Sequence, residues 1–231
     1  MPYVSVQPAD VADDRPVILF DLDGTVLDSA PGIVAAQQQA LRDVGFEPPD
    51  EAELLSDLGP PPAVIFARIG LPEELITPAV EAYRRHYLGR GIRNAALFPG
   101  VAELLDLLRP HYRLATATMK LITTAIPFLQ HHGVAGRFEV IGGAQDGVVD
   151  KPAIIKATRI ALGEPPAEKM IMVGDRHSDI SGGRAEGLRT IAVSWGYGSR
   201  DELLASDPDV IIDRPDELPA AAERLLAEVR G

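Results

Sequence analysis

Short apolar runs alternate with amphipathic stretches over most of this chain. The apolar runs, which are typical of buried strands, occupy residues 17–20, 112–117, 138–141, 170–173, 190–193 and 210–212. Stretches with helical spacing of apolar residues occupy 100–108, 121–131, 152–162 and 215–229. Strands that alternate with helices favour a mostly parallel sheet with right-handed crossovers. The pattern therefore predicts an α/β fold in which helices flank the sheet.

One long stretch departs from this alternation. Residues 30–93 show helical patterns only, interrupted at Gly45, Gly59 and Gly70, and they follow the first strand directly. Because long connections in compact domains are usually functional, we expect a cap rather than one continuous helical crossover. The sequence thus predicts an α/β core domain (1–29 and 94–231) and an inserted all-helical cap domain (30–93). Residues 1–16 are expected to be a loose lead-in.

The first strand ends in two acids one residue apart. Asp21 and Asp23 follow Val17–Phe20, and Gly24-Thr25 then break the apolar run. Positions two apart lie on one side of a strand, so both carboxylates can face one site at the edge where open α/β sheets bind ligands. Two buried acids repel each other unless something compensates, and a divalent cation is a suitable partner.

Four strand-end signals carry a family resemblance. Residues 21–29 (DLDGTVLDS) resemble the first motif of the phosphatase branch of the haloacid dehalogenase superfamily. Thr118 with Lys120, then Lys151, then residues 174–179 (GDRHSD) resemble the other three motifs in kind and order. The resemblance covers essentially the whole chain. It implies a Rossmann-like sheet with a helical cap after the first strand.

The resemblance also implies roles for four side chains. Asp21 would be the nucleophile that forms an aspartyl-phosphate, and Asp23 would act as general acid and base. Thr118 would donate a hydrogen bond to a phosphoryl oxygen. Lys151 would neutralise developing charge and hold Asp21 ionised.

A magnesium ion is the expected cofactor. A phosphate ester and an attacking carboxylate are both anions, and a divalent ion between them offsets their repulsion. Mg²⁺ prefers oxygen ligands, so Asp21 and Asp175 are the candidate protein ligands. Asp179 would ligate directly or order the coordinating waters, and by resemblance the backbone carbonyl of Asp23 completes the set.

Substrate contacts are less well defined by the sequence. Gly59 resembles a cap loop that dips toward the active site, and Arg68 is one of several cap arginines that could contact a second anionic group. Lys120 is either a substrate contact or a solvated lysine in the first turn of a helix. Met119 departs from the polar residue common at its family position. Residues 195–198 (WGYG) resemble a loop of the phosphoglycolate phosphatase-like and nucleotidase-like subgroup, in which Trp195 is expected to pack.

Single residues discriminate among the reactions of the family. Haloalkanoate dehalogenases lack an acid at the second position, so Asp23 favours phosphoryl transfer. Phosphonoacetaldehyde hydrolases need a cap lysine, and residues 30–93 contain none. The predicted activity is phosphomonoester hydrolysis, with phosphoglycolate or a nucleoside monophosphate as the leading substrates. A sugar-phosphate mutase and, less favoured, a non-catalytic phospho-receiver or binding module stay open.

Composition narrows the partners. The formal net charge of −12 argues against nucleic-acid binding, which depends on Lys and Arg. The chain has no cysteine, and no apolar stretch reaches the roughly 20 residues that span a bilayer. The first 15 residues do not resemble a signal peptide. We therefore expect a cytoplasmic monomer or homodimer that acts on a small phosphorylated metabolite, with no membrane partner.

Overall fold

The protein is described by a computed structural model covering residues 3–5, 13–56, 58–145 and 150–227. It divides into two compact units. An α/β unit comprises Met1–Leu27 and Leu97–Gly231, and a helical unit comprises Asp28–Ala96. The chain passes from one unit to the other at two short strands, residues 27–28 and 96–97, which pair with each other.

The strands form one large sheet and one small one. In chain order they are β1 (Tyr3–Ser5), β2 (Val17–Phe20), β3 (Leu27–Asp28), β4 (Ala96–Leu97), β5 (Arg113–Leu121), β6 (Val140–Ala144), β7 (Met170–Gly174), β8 (Arg189–Val193) and β9 (Val210–Ile212). The large sheet has the order β1-β6-β5-β2-β7-β8-β9, and β3 pairs with β4. All large-sheet neighbours are parallel except β1, which is antiparallel to β6. The predicted α/β class with a mostly parallel sheet is confirmed.

The helices are divided between the units. Those of the helical unit are α1 (Ala30–Asp43), α2 (Glu51–Ser56), α3 (Pro62–Arg68), α4 (Glu73–His86) and α5 (Ile92–Asn94), with a π-helical stretch at Tyr87–Gly91. Those of the α/β unit are α6 (Val101–Leu108), α7 (Ile122–His131), α8 (Lys151–Ala161), α9 (His177–Ala185), α10 (Arg200–Ala205) and α11 (Leu218–Ala227). No helix of the described ranges combines the length and apolar character that a membrane crossing requires.

The central strand β2 fixes the geometry of the sheet's carboxyl edge. Its four residues are fully buried, as their apolar sequence predicts. Phe20 lies opposite Thr116 of β5 and opposite Val173 of β7. Because parallel strands end at the same edge, this register places the residues that follow β2, β5 and β7 side by side. The core below them joins β2 to α8 through Val17, Leu19, Ile154 and Ile155.

Three local expectations were wrong. Residues 3–5 form an edge strand on β6, so the lead-in is not wholly loose; the residues at 6–12 lie outside the described part of the chain. A proline at position 78 predicts a break or a new start of the helix, but α4 runs through Pro78 and buries Ala79, Ala82 and Tyr83. Strand β5 runs to Leu121 instead of ending before Thr118.

The helical unit has its own small core. Helix α1 packs against α4, and Val34, Leu54 and Ile65 form an apolar cluster. Gln37 of α1 is 1% exposed, and among the described residues neither its Nε2 nor its Oε1 has a hydrogen-bond partner. Within its described residues, this unit therefore buries a polar side chain without compensating hydrogen bonds.

Candidate functional site

Three strand ends and two helix starts supply the site. Asp21 follows β2, and its N–H donates to the carbonyl of Val173 at 2.9 Å, which continues the ladder to β7. Asp175 follows β7, and Thr118 lies near the end of β5. Lys151 is the first residue of α8, whose preceding Asp150 caps the helix by accepting from the Ala153 N–H at 3.1 Å.

Lys151 lies between two acids. Its Nζ is 2.8 Å from Asp21 Oδ1, 2.9 Å from the carbonyl oxygen of Ala117 and 2.6 Å from Asp179 Oδ1. Burial alone would lower the pKa of Lys151, but Asp179 and Asp21 raise it above its ordinary value. The ammonium group is therefore held charged beside the Asp21 carboxylate.

Asp179 is fixed by the start of α9. Its Oδ2 accepts from the Arg176 N–H at 3.0 Å, in the manner of a helix cap. Its Oδ1 forms the ion pair with Lys151 but has no hydrogen-bond partner of acceptable geometry among the described residues. The start of α9 thus holds one oxygen of this buried carboxylate, and the other oxygen faces the Lys151 ammonium group.

The Asp175 carboxylate is held partly by the loop 195–198. The sequence does not predict this supporting role for the loop. Its Oδ1 accepts from Thr25 Oγ1 at 3.0 Å, and its Oδ2 accepts from the Tyr197 N–H at 2.8 Å. Burial, followed by the charges of Asp179 and Asp21, raises the pKa of Asp175 to about 8. The carboxylate is oriented but lacks a positive partner among the residues that contact it in these bonds.

The loop 195–198 packs directly on this acid. The Trp195 Nε1–H donates to the Thr25 carbonyl at 3.1 Å. A Cβ on Gly198 would lie 1.9 Å from the Asp175 carbonyl oxygen, so no larger residue fits there. The expected packing role of Trp195 agrees with this contact. The supporting roles of Thr25 and Tyr197 were not predicted from the sequence. The two glycines of the loop were the one sequence feature that could have indicated its close approach to Asp175.

Asp21, Asp175 and Asp179 together can hold a metal ion. One carboxylate oxygen from each lies within 4.8 Å of the others, and all three residues are buried. Burial, partly offset by Lys151 and reinforced by Asp179 and Asp23, raises the pKa of Asp21 to about 6. A cluster of three buried acids, in which the pKa values of Asp21 and Asp175 are raised, fits a hard divalent cation, which would offset their repulsion.

Asp23 is paired with a lysine. Lys120 Nζ lies 2.7 Å and 2.8 Å from the two carboxylate oxygens of Asp23. The side chain of Lys120 is 4% exposed and that of Asp23 is 26% exposed. Lys120 lies in β5 and not in the first turn of α7, so its interpretation as a solvated lysine was wrong. Its interpretation as a substrate contact stays a prediction.

The remaining predicted residues divide between the units. Thr118 is buried, and its Oγ1 accepts from the Lys120 N–H at 3.2 Å. Met119 packs against the core of the sheet, which explains an apolar residue at that position. Gly59 and Arg68 belong to the helical unit and are exposed there, and their substrate contacts stay predictions.

Comparison with known proteins gives a consistent family match. A family model described as haloacid dehalogenase-like hydrolase matches residues 18–193. The solved structure of a haloacid dehalogenase-like hydrolase, SP0104 of Streptococcus pneumoniae, superposes with a TM-score of 0.84 and 32% identity. That alignment covers 90% of this chain and 98% of the other.

Three curated relatives carry different names. Tyrosine-protein kinase PtkA of Mycobacterium tuberculosis is 39% identical over 197 residues, which are 84% of this chain and 67% of that protein. A 5'-nucleotidase of Pseudomonas aeruginosa is 36% identical, with coverage of 86% and 91%. A phosphoglycolate phosphatase of Aquifex aeolicus is 30% identical, with coverage of 92% and 99%.

Proposed function

Because the chain belongs to the haloacid dehalogenase-like hydrolase family, we propose that it is a Mg²⁺-dependent phosphatase that hydrolyses a small phosphomonoester through an aspartyl-phosphate. The observation that carries this proposal is the buried position of Lys151 between Asp21 and Asp179. A lysine held there keeps a nucleophilic carboxylate charged in the fully buried site.

In the first step, an oxygen of the Asp21 carboxylate attacks phosphorus and the bond from phosphorus to the leaving oxygen breaks. Lys151 stabilises the negative charge that the buried carboxylate and the phosphoryl oxygens share. The Thr118 hydroxyl, at the adjacent strand end, donates to a phosphoryl oxygen. The product of this step is an acyl phosphate on Asp21.

Asp23 moves the protons in both steps. It first donates its proton to the departing alkoxide, which leaves as an alcohol. In the second step its carboxylate takes a proton from water, the water oxygen attacks phosphorus, and the Asp21–phosphorus bond breaks. Inorganic phosphate leaves, and both aspartates return to their initial state.

Asp21, Asp175 and Asp179, with the backbone carbonyl of Asp23, would hold the Mg²⁺ ion. When bound, the ion supplies positive charge that offsets the repulsion between carboxylate and phosphate. With all four carboxylates of the site ionised (Asp21, Asp23, Asp175, Asp179), their charge exceeds that of its two ammonium groups (Lys120, Lys151) by two, which one divalent cation would balance.

The helical unit is proposed to be the cap that selects the substrate. Gly59 and Arg68 would contact the part of the substrate that carries no reacting atom. Phosphoglycolate and nucleoside monophosphates are the leading substrates, and the names of two relatives support both classes. We place the enzyme in the cytoplasm as a monomer or homodimer.

Phosphate release from a panel of phosphorylated metabolites tests this function. We expect turnover with Mg²⁺, none with excess EDTA, and none in the Asp21→Asn variant, which keeps the shape of the side chain but removes its charge. Asp28→Asn, in β3, is the matched control for loss of one acid. Turnover by Asp21→Asn at a rate near that of the wild type would contradict the proposal.

A second candidate rests on the relative named tyrosine-protein kinase, which is 39% identical. An aspartyl-phosphate can pass its phosphoryl group to a hydroxyl group instead of water. Incubation with ATP and a tyrosine-containing peptide would then yield phosphotyrosine faster than inorganic phosphate. Release of phosphate alone from every phosphoester would leave hydrolysis as the function.

A further inference from the structure

Lys120 is the second buried lysine of the α/β site, and its contacts differ from those of Lys151. It approaches both carboxylate oxygens of Asp23, at 2.7 Å and 2.8 Å. Its Nζ also lies 4.6 Å from the ring centroid of Phe128, which is fully buried in α7. A lysine held between an aromatic ring and a carboxylate has little rotational freedom left.

The local backbone explains how Lys120 reaches this position. Thr118 of β5 lies opposite Gly143 of β6, but Leu121 lies opposite Ala144, the very next residue. Met119 and Lys120 are therefore extra residues in an irregular part of the strand. Such bulges re-aim side chains next to active sites. The Lys120 N–H donates to Thr118 Oγ1 at 3.2 Å, which ties the bulge to the neighbouring site residue.

We propose that Lys120 is a positioning residue that holds the Asp23 carboxyl group in the orientation required for proton transfer. This inference rests on the proposed function, because it assumes that Asp23 protonates the leaving group. Asp23 is 26% exposed, so packing alone does not restrict its carboxyl group. The paired contacts to Lys120 restrict the rotation of this group.

Lys120 exchanges no proton in either step. An ammonium group is a donor only, and it can donate to a carboxylate or to the carbonyl oxygen of a protonated carboxyl group. The contact to one oxygen therefore persists while Asp23 is protonated, and the second contact is restored when Asp23 has given its proton to the leaving alkoxide. Lys120 thus acts through Asp23 and not through direct contact with the phosphoryl group.

The test compares two leaving groups in one protein preparation. An alkyl phosphate, either phosphoglycolate or AMP according to which is the better substrate, needs a protonated leaving group. p-Nitrophenyl phosphate does not, because its phenolate leaves without a proton. kcat/KM reports the steps through departure of the leaving group, and the ratio of the two values does not depend on the fraction of protein that is folded.

In the Lys120→Met variant we expect kcat/KM for the alkyl phosphate to fall by about 10–100-fold, a part of the 10²–10⁴-fold that general acid catalysis contributes. The value for p-nitrophenyl phosphate should fall by less than about 3-fold on the same reasoning. In an Asp23→Asn background, Lys120→Met should add almost nothing. Lys156→Met, which removes an exposed lysine of α8, is the charge-matched control and should change neither value.

Equal losses for both substrates, with additive effects in the double variant, would overturn the positioning role and favour a direct substrate contact. A rise in KM alone would overturn it in the same way. A wild-type protein that cleaves neither substrate with Mg²⁺ would overturn the proposed function and this inference with it. An active wild type with equal losses overturns this inference alone.

Discussion

The two units bury polar side chains in different ways. In the α/β unit, Asp21, Asp23 and Asp175 all have oriented hydrogen-bond donors within 3.0 Å of their carboxylates. In the helical unit, Gln37 is 1% exposed, but its two polar atoms have no partner among the described residues. Buried polar groups are normally hydrogen-bonded, and each exception needs an explanation.

This difference indicates which buried polar side chains serve the chemistry of the site and which do not. The buried acids repel one another, which is costly for stability, but their arrangement matches what a cation and a phosphoryl group require. The cost of burying Gln37 has no such counterpart within its unit. Changes in the α/β site should therefore act first on activity, whereas a change at Gln37 should act on stability alone.

Removal of the Lys151 ammonium group tests the partnered polar groups of the α/β unit. Of the changes considered, it has the largest expected effect. In Lys151→Ala, we expect kcat/KM to fall by an amount equivalent to about 2–4 kcal/mol, as for other preorganised electrostatic groups. The protein should also be less stable, because Asp21 and Asp179 lose their shared partner. Lys156→Ala in the same helix is the control, and similar losses for both variants would show that Lys151 has no special role.

A methyl group added next to Asp175 tests whether the loop 195–198 holds this acid in place. In Gly198→Ala, the new Cβ would lie 1.9 Å from the Asp175 carbonyl oxygen, so the loop or the acid must move. We expect a loss of about 1–3 kcal/mol in the free energy of unfolding and weaker Mg²⁺ binding. Gly136→Ala, where a Cβ meets no atom within 4 Å, should be close to wild type. Equal denaturation midpoints for the two variants would contradict the close packing.

Metal removal and pH test the repulsion among the acids. The folded protein raises the pKa of Asp21 to about 6 and that of Asp175 to about 8, from an ordinary value of 3.8. Between about pH 4 and about pH 8, the folded state therefore binds more protons than the unfolded chain. The free energy of unfolding in EDTA should fall as the pH rises through this range. Mg²⁺ requires ionised carboxylates and should raise Tm more at pH 8 than at pH 5.

Asp175→Asn is the control for this pH dependence, because it removes the group with the higher pKa. Its Tm in EDTA should fall less steeply with pH than that of the wild type, and Mg²⁺ should have a smaller effect. A wild-type Tm that is flat or rises over this range, with no response to Mg²⁺, would refute the assignment of the acid cluster as a metal site.

Replacement of Gln37 tests the buried polar side chain of the helical unit. It has the smallest expected effect. Gln37→Leu has a similar volume and removes two buried polar atoms that lack partners. We expect stabilisation of about 1 kcal/mol, since an unsatisfied buried group costs roughly 1–3 kcal/mol. Gln38→Leu, the half-buried neighbour, is the control and should have little effect. Destabilisation by Gln37→Leu in chemical denaturation would mean that the amide makes a stabilising interaction after all.

Much of the α/β unit was predictable because its signals are local. A few consecutive residues are enough to predict the buried strand β2, the acids that follow it and Lys151 at the start of α8. The sheet then brings their positions together through register, since Phe20 lies opposite both Thr116 and Val173. The family resemblance added the roles, which spacing alone does not give.

The features that were not predicted from the sequence depend on contacts between residues far apart along the chain. One of the two interpretations of Lys120 places it in the first turn of a helix, because nothing local indicates the bulge in β5 or the contact with the ring of Phe128. The support of Asp175 by Thr25 and Tyr197 joins residues 150 and 22 positions away. The edge strand at Tyr3–Ser5 was missed because three residues carry too little periodicity to distinguish strand from coil.

Acid quenching during turnover, followed by peptide mapping of the trapped phosphoryl group, tests the central claim most directly. The account predicts one acid-stable, hydroxylamine-sensitive acyl phosphate on Asp21, formed only with Mg²⁺ and absent from Asp21→Asn. A phosphoryl group on any other residue, or steady turnover in the Asp21→Asn variant, would contradict it.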